Sequence, residues 1–557
     1  MKRIRKAGYA LLGVALLAAG AAWVAAENPD ARLGRNMEIL MNLLRETDMF
    51  YVDKVDTDKL LKDAAEGMLG DLDPYTEFLP ESEMSDFEFM TTGKYGGIGS
   101  LIRQKGDETY IAQPYEGFPA DKAGLRIGDR IVAVNGERIK GYPSARVSAM
   151  LKGDPGTPVK VTVERIATGA EEEVTIRRER IVISGVAYAG FVDDSIGYIH
   201  LSDFTEDCSS DVRRALMDLK ATGRLKGLVF DLRGNGGGIL QEAVKIVSLF
   251  VPKGTEVVSM RGKFKEMDAT FRTEGEPVAP ALPLVVLTNS GSASAAEIVS
   301  GALQDLDRAV LLGQRTFGKG LVQSTRPLGY NAYLKVTTAK YYMPSGRCIQ
   351  AIDYTHRNED GSVGAVPDSL IREYRTAGGR KVYDGGGIMP DSAMAPEYAS
   401  RFALVLYAKG YIEDFGDQYY KTHPEPVDIA TFEVTDSLYN AFAAFMRDKD
   451  MTFESGTAAA LRSLREKAER ERYLDRIAGE LDAIEASLRE DTESELQTFR
   501  DEIADLIAGD IILRYHYARG VSQYKLMTDR EVQAAAGLLA APELYREILE
   551  SRDTARK

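Results

Sequence analysis

The sequence predicts an α/β protein: an α/β core with an inserted β-rich domain, an N-terminal helical segment and a helical C-terminal extension. Three observations lead to this fold class. Apolar strand runs alternate with helical patterns from about 181 to 350, short strands fill about 88–180, and helical periodicity dominates both ends. Such alternation is typical of buried, mostly parallel strands with helices packed on them.

The N-terminal residues have the pattern of an export signal. Four basic residues lie within positions 2–6, and residues 7–26 are continuously apolar or small. This pattern predicts either a cleaved signal peptide or an uncleaved membrane anchor in residues 1–26. The chain is therefore expected outside the cytoplasm, periplasmic or otherwise extracytoplasmic, either released or held at the inner membrane by residues 7–26. No other membrane contact is expected.

Four further segments follow along the chain. Residues 27–87 form the helical segment, in which apolar residues at helical spacing predict a helix over 36–70. Residues 88–180 form the β-rich domain, with a hairpin signal at Asn135-Gly136 and a short helix at 142–151. Residues 181–394 form the α/β core. Residues 395–557 form the extension, which contains an apolar seam at 474–488. We expect this seam to pack on its own domain; the alternative is a contact between subunits of a homo-oligomer.

Composition excludes several classes of function. The 557 residues, 44% hydrophobic and 28% charged, indicate a folded protein of several domains. A formal net charge of −15 argues against nucleic-acid binding through a basic surface. The two cysteines and four histidines lack metal-ligand spacing, so no metal or other cofactor is expected. Cys208 and Cys348 either pair in an oxidising compartment or stay free thiols.

Two glycine-rich or serine-rich turns each follow a predicted strand and precede a predicted helix. In the first, residues 234–238 can direct several backbone N–H groups at an anion or oxyanion. In the second, residues 290–295 can hold a serine exposed at a helix N-terminus. A helix N-cap is the ordinary reading for a lone serine there.

A third segment, 313–323, supplies a candidate base for that serine. Lys319 lies between two glycines, and the stretch matches most of a phosphate-binding loop, but Gly320 replaces the magnesium-binding hydroxyl, which disfavours nucleotide binding. Lysine acts as a base only when neutral, and lowering its pKa from 10.4 to 7 costs about 5 kcal/mol, within the reach of burial. Lys319 must then be desolvated and lack a carboxylate partner, while the amide of Gln323 could orient its amine. A Ser–Lys dyad follows as a hypothesis.

Together the three motifs resemble the carboxy-terminal processing (tail-specific) serine protease family. They are Asp-Leu-Arg-Gly-Asn-Gly-Gly-Gly at 231–238, Asn-Ser-Gly-Ser-Ala-Ser-Ala-Ala-Glu-Ile at 289–298, and Thr-Phe-Gly-Lys-Gly-Leu-Val-Gln at 316–323. The resemblance implies Ser294 as nucleophile, Lys319 as general base and Gln323 as its orienting residue. It also implies an oxyanion hole built from the N–H of Ala295 and of a glycine in the 236–237 pair, Gly236 or Gly237. Ser292 is the neighbouring candidate, and the spacing to Lys319 favours Ser294.

The same family carries an embedded PDZ domain, which the β-rich segment resembles. Tyr-Gly-Gly-Ile-Gly at 95–99 is similar to the loop whose amides receive a terminal carboxylate. This implies that a substrate tail binds at Gly96, Gly97, Ile98 and Gly99. The expected function is that of an exported serine endopeptidase acting on proteins or peptides with free C-termini. A non-catalytic PDZ scaffold or chaperone on the same fold is the alternative.

Overall fold

A computed structural model of the chain describes residues 29–358, 362–451, 456–487 and 492–550. The predicted export signal, residues 1–26, lies outside these ranges. Within them, no helix combines the length and the apolar run that crossing a bilayer requires. The described chain divides into two units. The first contains the residues up to Met84 with Gln323–Thr337, and the second contains Ser85–Val322 with the residues from Thr338 onward.

The helices are α1 Pro29–Phe50, α2 Thr57–Leu69, α3 Met84–Thr92, α4 Pro119–Lys122, α5 Ser144–Leu151, α6 Cys208–Ala221, α7 Leu240–Val247, α8 Ala295–Asp305, α9 Arg401–Ala408, α10 Tyr411–Thr422, α11 Asp436–Met446, α12 Gly456–Arg470, α13 Leu474–Ser487, α14 Thr492–Thr498, α15 Arg500–Thr528, α16 Arg530–Leu539 and α17 Pro542–Glu550.

The strands are β1 Glu77–Leu79, β2 Lys94–Gly97, β3 Ser100–Lys105, β4 Glu108–Pro114, β5 Arg130–Val134, β6 Glu137–Arg138, β7 Pro158–Glu164, β8 Glu171–Arg177, β9 Glu179–Val182, β10 Val186–Phe191, β11 Ile196–Leu201, β12 Gly227–Asp231, β13 Glu256–Gly262, β14 Ala269–Arg272, β15 Leu284–Thr288, β16 Val310–Gly313, β17 Leu321–Gly329, β18 Ala332–Tyr342, β19 Ile352–Arg357, β20 Val363–Ala365, β21 Glu373–Arg375, β22 Lys381–Tyr383 and β23 Ser392–Ala393.

The first unit contains two N-terminal helices rather than the single helix expected over 36–70. The prediction of one helix was wrong because the first helix ends at Phe50 and Asp56 begins a second one. Its side chain accepts from the backbone N–H groups of Asp58 and Lys59, both at 3.1 Å, and so caps α2. In the same unit, β1 pairs antiparallel with the 333–335 part of β18.

The second unit is built around a six-stranded sheet in the order β10-β11-β12-β15-β16-β23. All neighbours except β10 and β11 run parallel. Alternate residues of each strand point to opposite faces, and both faces are apolar, as a sheet covered on both sides requires. The predicted α/β core is confirmed.

Different parts of the chain cover the two faces of this sheet. Helices α6, α7 and α8 cover one face, where Phe230 and Val286 are fully buried. On the other face Val229 and Val285 pack against side chains of α16 and α17, including Val532. The helical extension therefore supplies one of the three layers of the core.

The inserted β-rich domain also lies in the second unit. Its sheet runs β3-β4-β5-β7-β8, with β6 on β5. Strand β3 pairs only with β4 in this sheet and is thus an edge strand. The N-terminus of α5 lies beside it, because the backbone N–H of Ser144 donates to Gln104 Oε1 at 3.2 Å. The helix expected at 142–151 is therefore present as α5.

Charged side chains join this inserted domain to the helical extension. Lys105 and Arg103 of β3 pair with Asp414 and Glu413 of α10. The hydroxyl of Tyr517, at a kink in α15, donates to Asp121. The two domains are in direct contact.

Two smaller expectations from the sequence are also tested. Cys208 and Cys348 are both free thiols, and burial raises the pKa of each.

In the predicted seam Leu481 is buried and Ile484 is exposed, while Arg465 of α12 pairs with Asp482 of α13. Most of the seam thus belongs to a helical hairpin within the extension, and its residue 488 lies outside the described ranges.

Candidate active site

The first two motifs meet at the carboxyl ends of β12 and β15, two neighbouring parallel strands. Ligand sites in open α/β sheets form at this edge. The backbone N–H of Gly234 donates to Asn289 Oδ1 at 2.9 Å, and the N–H of Ala293 donates to the carbonyl oxygen of Asn235 at 2.9 Å. The glycine-rich turn and the serine turn therefore form one connected surface.

Ser294 occupies the first position before α8 in an unusual backbone conformation. Its φ of 55° and ψ of −113° differ from the extended backbone of an ordinary N-cap. A non-glycine residue in this region is strained, and such strain concentrates at functional positions. The side chain is half-buried, and the positive end of the α8 dipole lies next to it.

The structure separates Ser294 from the alternative candidate, Ser292. Ser292 is fully buried. Its hydroxyl donates to the carbonyl oxygen of Leu232 at 2.8 Å and accepts from the N–H of Asn289 at 3.0 Å. Ser292 thus stabilises the contact between the two turns, and Ser294 is the more accessible of the two serines.

The predicted oxyanion hole lies directly beside Ser294. A side chain at Gly237 would bring its Cβ within 2.7 Å of Ser294 Cβ and 2.9 Å of the nitrogen of Ala295, so only glycine fits there. Within the described ranges, no acceptor contacts the Ala295 N–H. The N–H of Gly237, by contrast, donates to Asn235 Oδ1 at 2.8 Å. Gly236, by comparison, is exposed, and no acceptor in the described part of the chain contacts its N–H.

Lys319 is brought into the same neighbourhood by a tightly packed loop. A Cβ on Gly318 would lie 2.4 Å from Ala351 Cβ, and one on Gly320 would lie 2.8 Å from the nitrogen of Gln350. The two glycines therefore allow the loop to pack closely against residues 350–351. The side chain of Lys319 is half-buried.

Glu297 links the serine turn to the lysine loop. One carboxylate oxygen accepts from the N–H of Ser294 at 2.9 Å and from that of Lys319 at 2.8 Å. The other accepts from the hydroxyl of Thr316 at 2.6 Å and the N–H of Gly318 at 2.7 Å. Glu297 is fully buried, and burial raises its pKa to about 7, against these hydrogen bonds, which lower it.

No role for Glu297 was predicted from the sequence, although a signal is present there. Serine followed three residues later by glutamate is the spacing of a capping box, in which the glutamate reaches back to the N-cap N–H. The same spacing here fixes the backbone of the predicted nucleophile.

Gln323 lies in the first unit, at the start of β17, four residues after Lys319. Its side-chain Nε2 donates to Thr337 Oγ1 at 3.1 Å. Its expected role of orienting the Lys319 amine stays a prediction.

The predicted tail-binding loop, residues 96–99, lies immediately before the edge strand β3. A Cβ on Gly96 would lie 2.2 Å from the carbonyl oxygen of Gly153, and Gly99 has a φ of 73°. Ile98 is buried in the core of the β-rich domain, and its carbonyl oxygen accepts from Ala120 at 2.7 Å. Gly97 ends β2, which pairs with β9. Gly96 and Gly97 thus belong to the paired strand β2, and Ile98 and Gly99 connect it to β3, whose free edge a peptide could extend.

Three family models match the chain. The model described as peptidase family S41 matches residues 195–357, and a PDZ domain model matches 110–165. A third, described as the C-terminal helical domain of a probable PDZ-protease, matches 402–539. The matched regions fall on the α/β core, the β-rich domain and the helical extension.

Individual relatives agree with these matches. A carboxy-terminal-processing protease of Bartonella bacilliformis is 38% identical over 308 residues, which are 55% of this chain and 70% of the relative. A probable CtpA-like serine protease of Staphylococcus aureus is 37% identical over 318 residues, 56% of this chain but only 62% of that protein. Among solved structures, a photosystem II D1 C-terminal processing protease is 29% identical, covering 64% of this chain and 92% of its own, with a TM-score of 0.34.

Proposed function

Because this chain belongs to the carboxy-terminal-processing protease family and is a serine protease with a PDZ domain, we propose that it cleaves peptide bonds with a Ser294–Lys319 dyad. The observation that carries the proposal is the Glu297 carboxylate, which hydrogen-bonds the backbone N–H of both dyad residues. No metal or nucleotide takes part in the proposed reaction.

In the proposed reaction, Ser294 Oγ attacks the scissile carbonyl carbon while the neutral amine of Lys319 takes its proton. The developing oxyanion accepts hydrogen bonds from the N–H of Ala295 and of Gly236 or Gly237. Lys319 then protonates the leaving amine. Water hydrolyses the acyl-enzyme with Lys319 again as the base. The reaction requires the lysine amine in its neutral form, and Gln323 is proposed to orient the amine.

We also propose that the PDZ domain delivers the substrate by its C-terminal tail. The tail would add as a strand to β3, and its carboxylate would bind the backbone amides of the 96–99 loop. Binding at this remote site would position the chain and raise its effective concentration at Ser294. Export, with release or anchoring through residues 7–26, belongs to the same proposal and rests on the N-terminal sequence pattern.

The test compares the chain from residue 27 onward with three variants on an unfolded protein that ends in an apolar tail. Ser294→Ala removes the nucleophile, and Lys319→Arg keeps a cation that cannot deprotonate. The matched control is Ser290→Ala, an exposed serine in the same turn. We expect the first two variants to be inactive and the control to match wild type, all with wild-type melting curves.

The same assay with the tail removed tests delivery by the PDZ domain, and a slower cut is expected. If Ser294→Ala cuts as fast as wild type, the assignment of the nucleophile is wrong. If wild type binds the tail but cuts no substrate, the chain acts as a PDZ scaffold.

A further inference from the structure

The glycine-rich turn carries one charged side chain, Arg233, immediately before the run of glycines at 234–238. Its guanidinium group contacts three carboxylates at once. Asp231, at the end of β12, contacts it at 2.6 Å. The other two are Asp529, at 2.8 Å, and Glu531, at 2.7 Å.

Asp529 and Glu531 come from the helical extension, almost 300 residues later in the chain. Asp529 is itself fixed, because its Oδ1 caps α16 by accepting from the N–H groups of Glu531 at 2.9 Å and Val532 at 3.0 Å. Helix α16 is in turn anchored on the sheet by Val532 and Leu539, both buried. The two carboxylates therefore form a rigid receptor for the guanidinium group.

We propose that Asp529 and Glu531 are positioning residues for the protease reaction, holding the oxyanion-hole turn in its active geometry through Arg233. The inference rests on the Ser–Lys mechanism proposed above. The extension then acts on the reaction and not only on the folding of the core.

The physical reason is the freedom of the turn. Glycines have the widest backbone freedom of any residue, so a glycine-rich turn keeps its place through the contacts that anchor it. Asn235 is one anchor, since its Nδ2 donates to the carbonyl oxygen of Leu201 at 2.8 Å. Arg233, immediately before the turn, is another anchor. A displacement there reaches Gly236 and Gly237, and the N–H of one of them must meet the oxyanion within hydrogen-bond distance.

The experiment measures kcat and KM separately for cleavage of fluorescein-labelled β-casein, an unfolded protein. The double variant Asp529→Asn/Glu531→Gln removes both charges while asparagine retains the cap of α16. The control is Arg530→Gln, which lies between them and breaks only an exposed ion pair with Glu397. The rate of fluorophosphonate labelling at Ser294 provides a second readout that needs no protein substrate.

We expect kcat and the labelling rate to fall about 10- to 100-fold in the double variant. This is less than the roughly 100- to 1000-fold loss of kcat that removal of one oxyanion-hole donor causes, because the donor is displaced and not removed. KM should change less than about twofold, and the pH midpoints of kcat should not move, because the dyad itself is untouched. Arg530→Gln should match wild type.

A kcat within twofold of wild type would overturn the proposal, as would a loss that only follows the fraction of unfolded protein. If the double variant does not fold, Glu531→Gln alone, which leaves the Asp529 contacts in place, decides by the same criteria. Failure of the underlying mechanism is distinguishable, because then wild type itself neither cuts β-casein nor labels at Ser294.

Discussion

Burial of the Glu297 carboxylate predicts an unusual dependence of stability on pH. Its pKa rises from 4.5 to about 7 on folding, so the folded chain binds more protons than the unfolded chain between these values. The free energy of unfolding therefore decreases as pH rises through this window and levels off above it. A rise of this size corresponds to about 3 kcal/mol. Replacement by glutamine, which does not titrate, removes this contribution.

The assay is urea unfolding of wild type and Glu297→Gln, followed by far-UV circular dichroism at a series of pH values. We expect the difference in free energy of unfolding, wild type minus variant, to fall by about 3 kcal/mol between pH 4.5 and 7. A difference that stays constant over this range, or that grows with pH, would refute the reasoning.

Glu242 provides a control of opposite sign. It is also buried, but hydrogen bonds from Lys245 and Ser209 outweigh the effect of burial and lower its pKa. Its contribution to stability is present above pH 4.5 and is lost as pH falls through the lowered pKa. The difference between wild type and Glu242→Gln should therefore be flat between pH 5 and 7, where the Glu297 difference changes.

Two further predictions concern glycines at close contacts. Gly318→Ala should lower kcat at least tenfold without changing the affinity for a C-terminal peptide, because the new Cβ would lie 2.4 Å from Ala351 Cβ and displace the Lys319 loop. Casein cleavage measures kcat and fluorescence anisotropy measures the peptide affinity, and a normal kcat would contradict the prediction. Gly96→Ala should have the opposite effect, because its Cβ would lie 2.2 Å from the Gly153 carbonyl oxygen. It should weaken peptide affinity about tenfold and leave cleavage of a substrate without the tail unchanged. An equal loss of peptide binding and of cleavage would argue against this prediction.

Local sequence patterns were sufficient to predict the α/β core. The strands of the central sheet are short apolar runs, and the helices between them have strong periodicity, so type and order could be read directly. The break between α1 and α2 was missed because apolar residues continue at nearly helical spacing across it. This spacing hid the signal of Asp56, which caps α2.

The candidate active site, too, could be predicted only in part from the sequence. The motif spacing pointed to Ser294 and Lys319, but local sequence could not show that Ser292 is buried and engaged while Ser294 is strained and accessible. Nor could it show that Asn235 engages the N–H of Gly237, since this depends on the three-dimensional path of a glycine run. The four hydrogen bonds of Glu297 join segments about 20 residues apart, which no local pattern reveals.

The extension's place on the central sheet bears on how the protein is made. The face of the sheet that holds Val229 and Val285 is covered by α16 and α17, which leave the ribosome long after the strands beneath them. Until those helices emerge, a nascent chain exposes an apolar surface and lacks the carboxylates that engage Arg233. An interrupted chain would hold the serine turn and the lysine loop without a finished core. Synthesis order thus delays assembly of a complete protease until almost the whole described chain is available to fold.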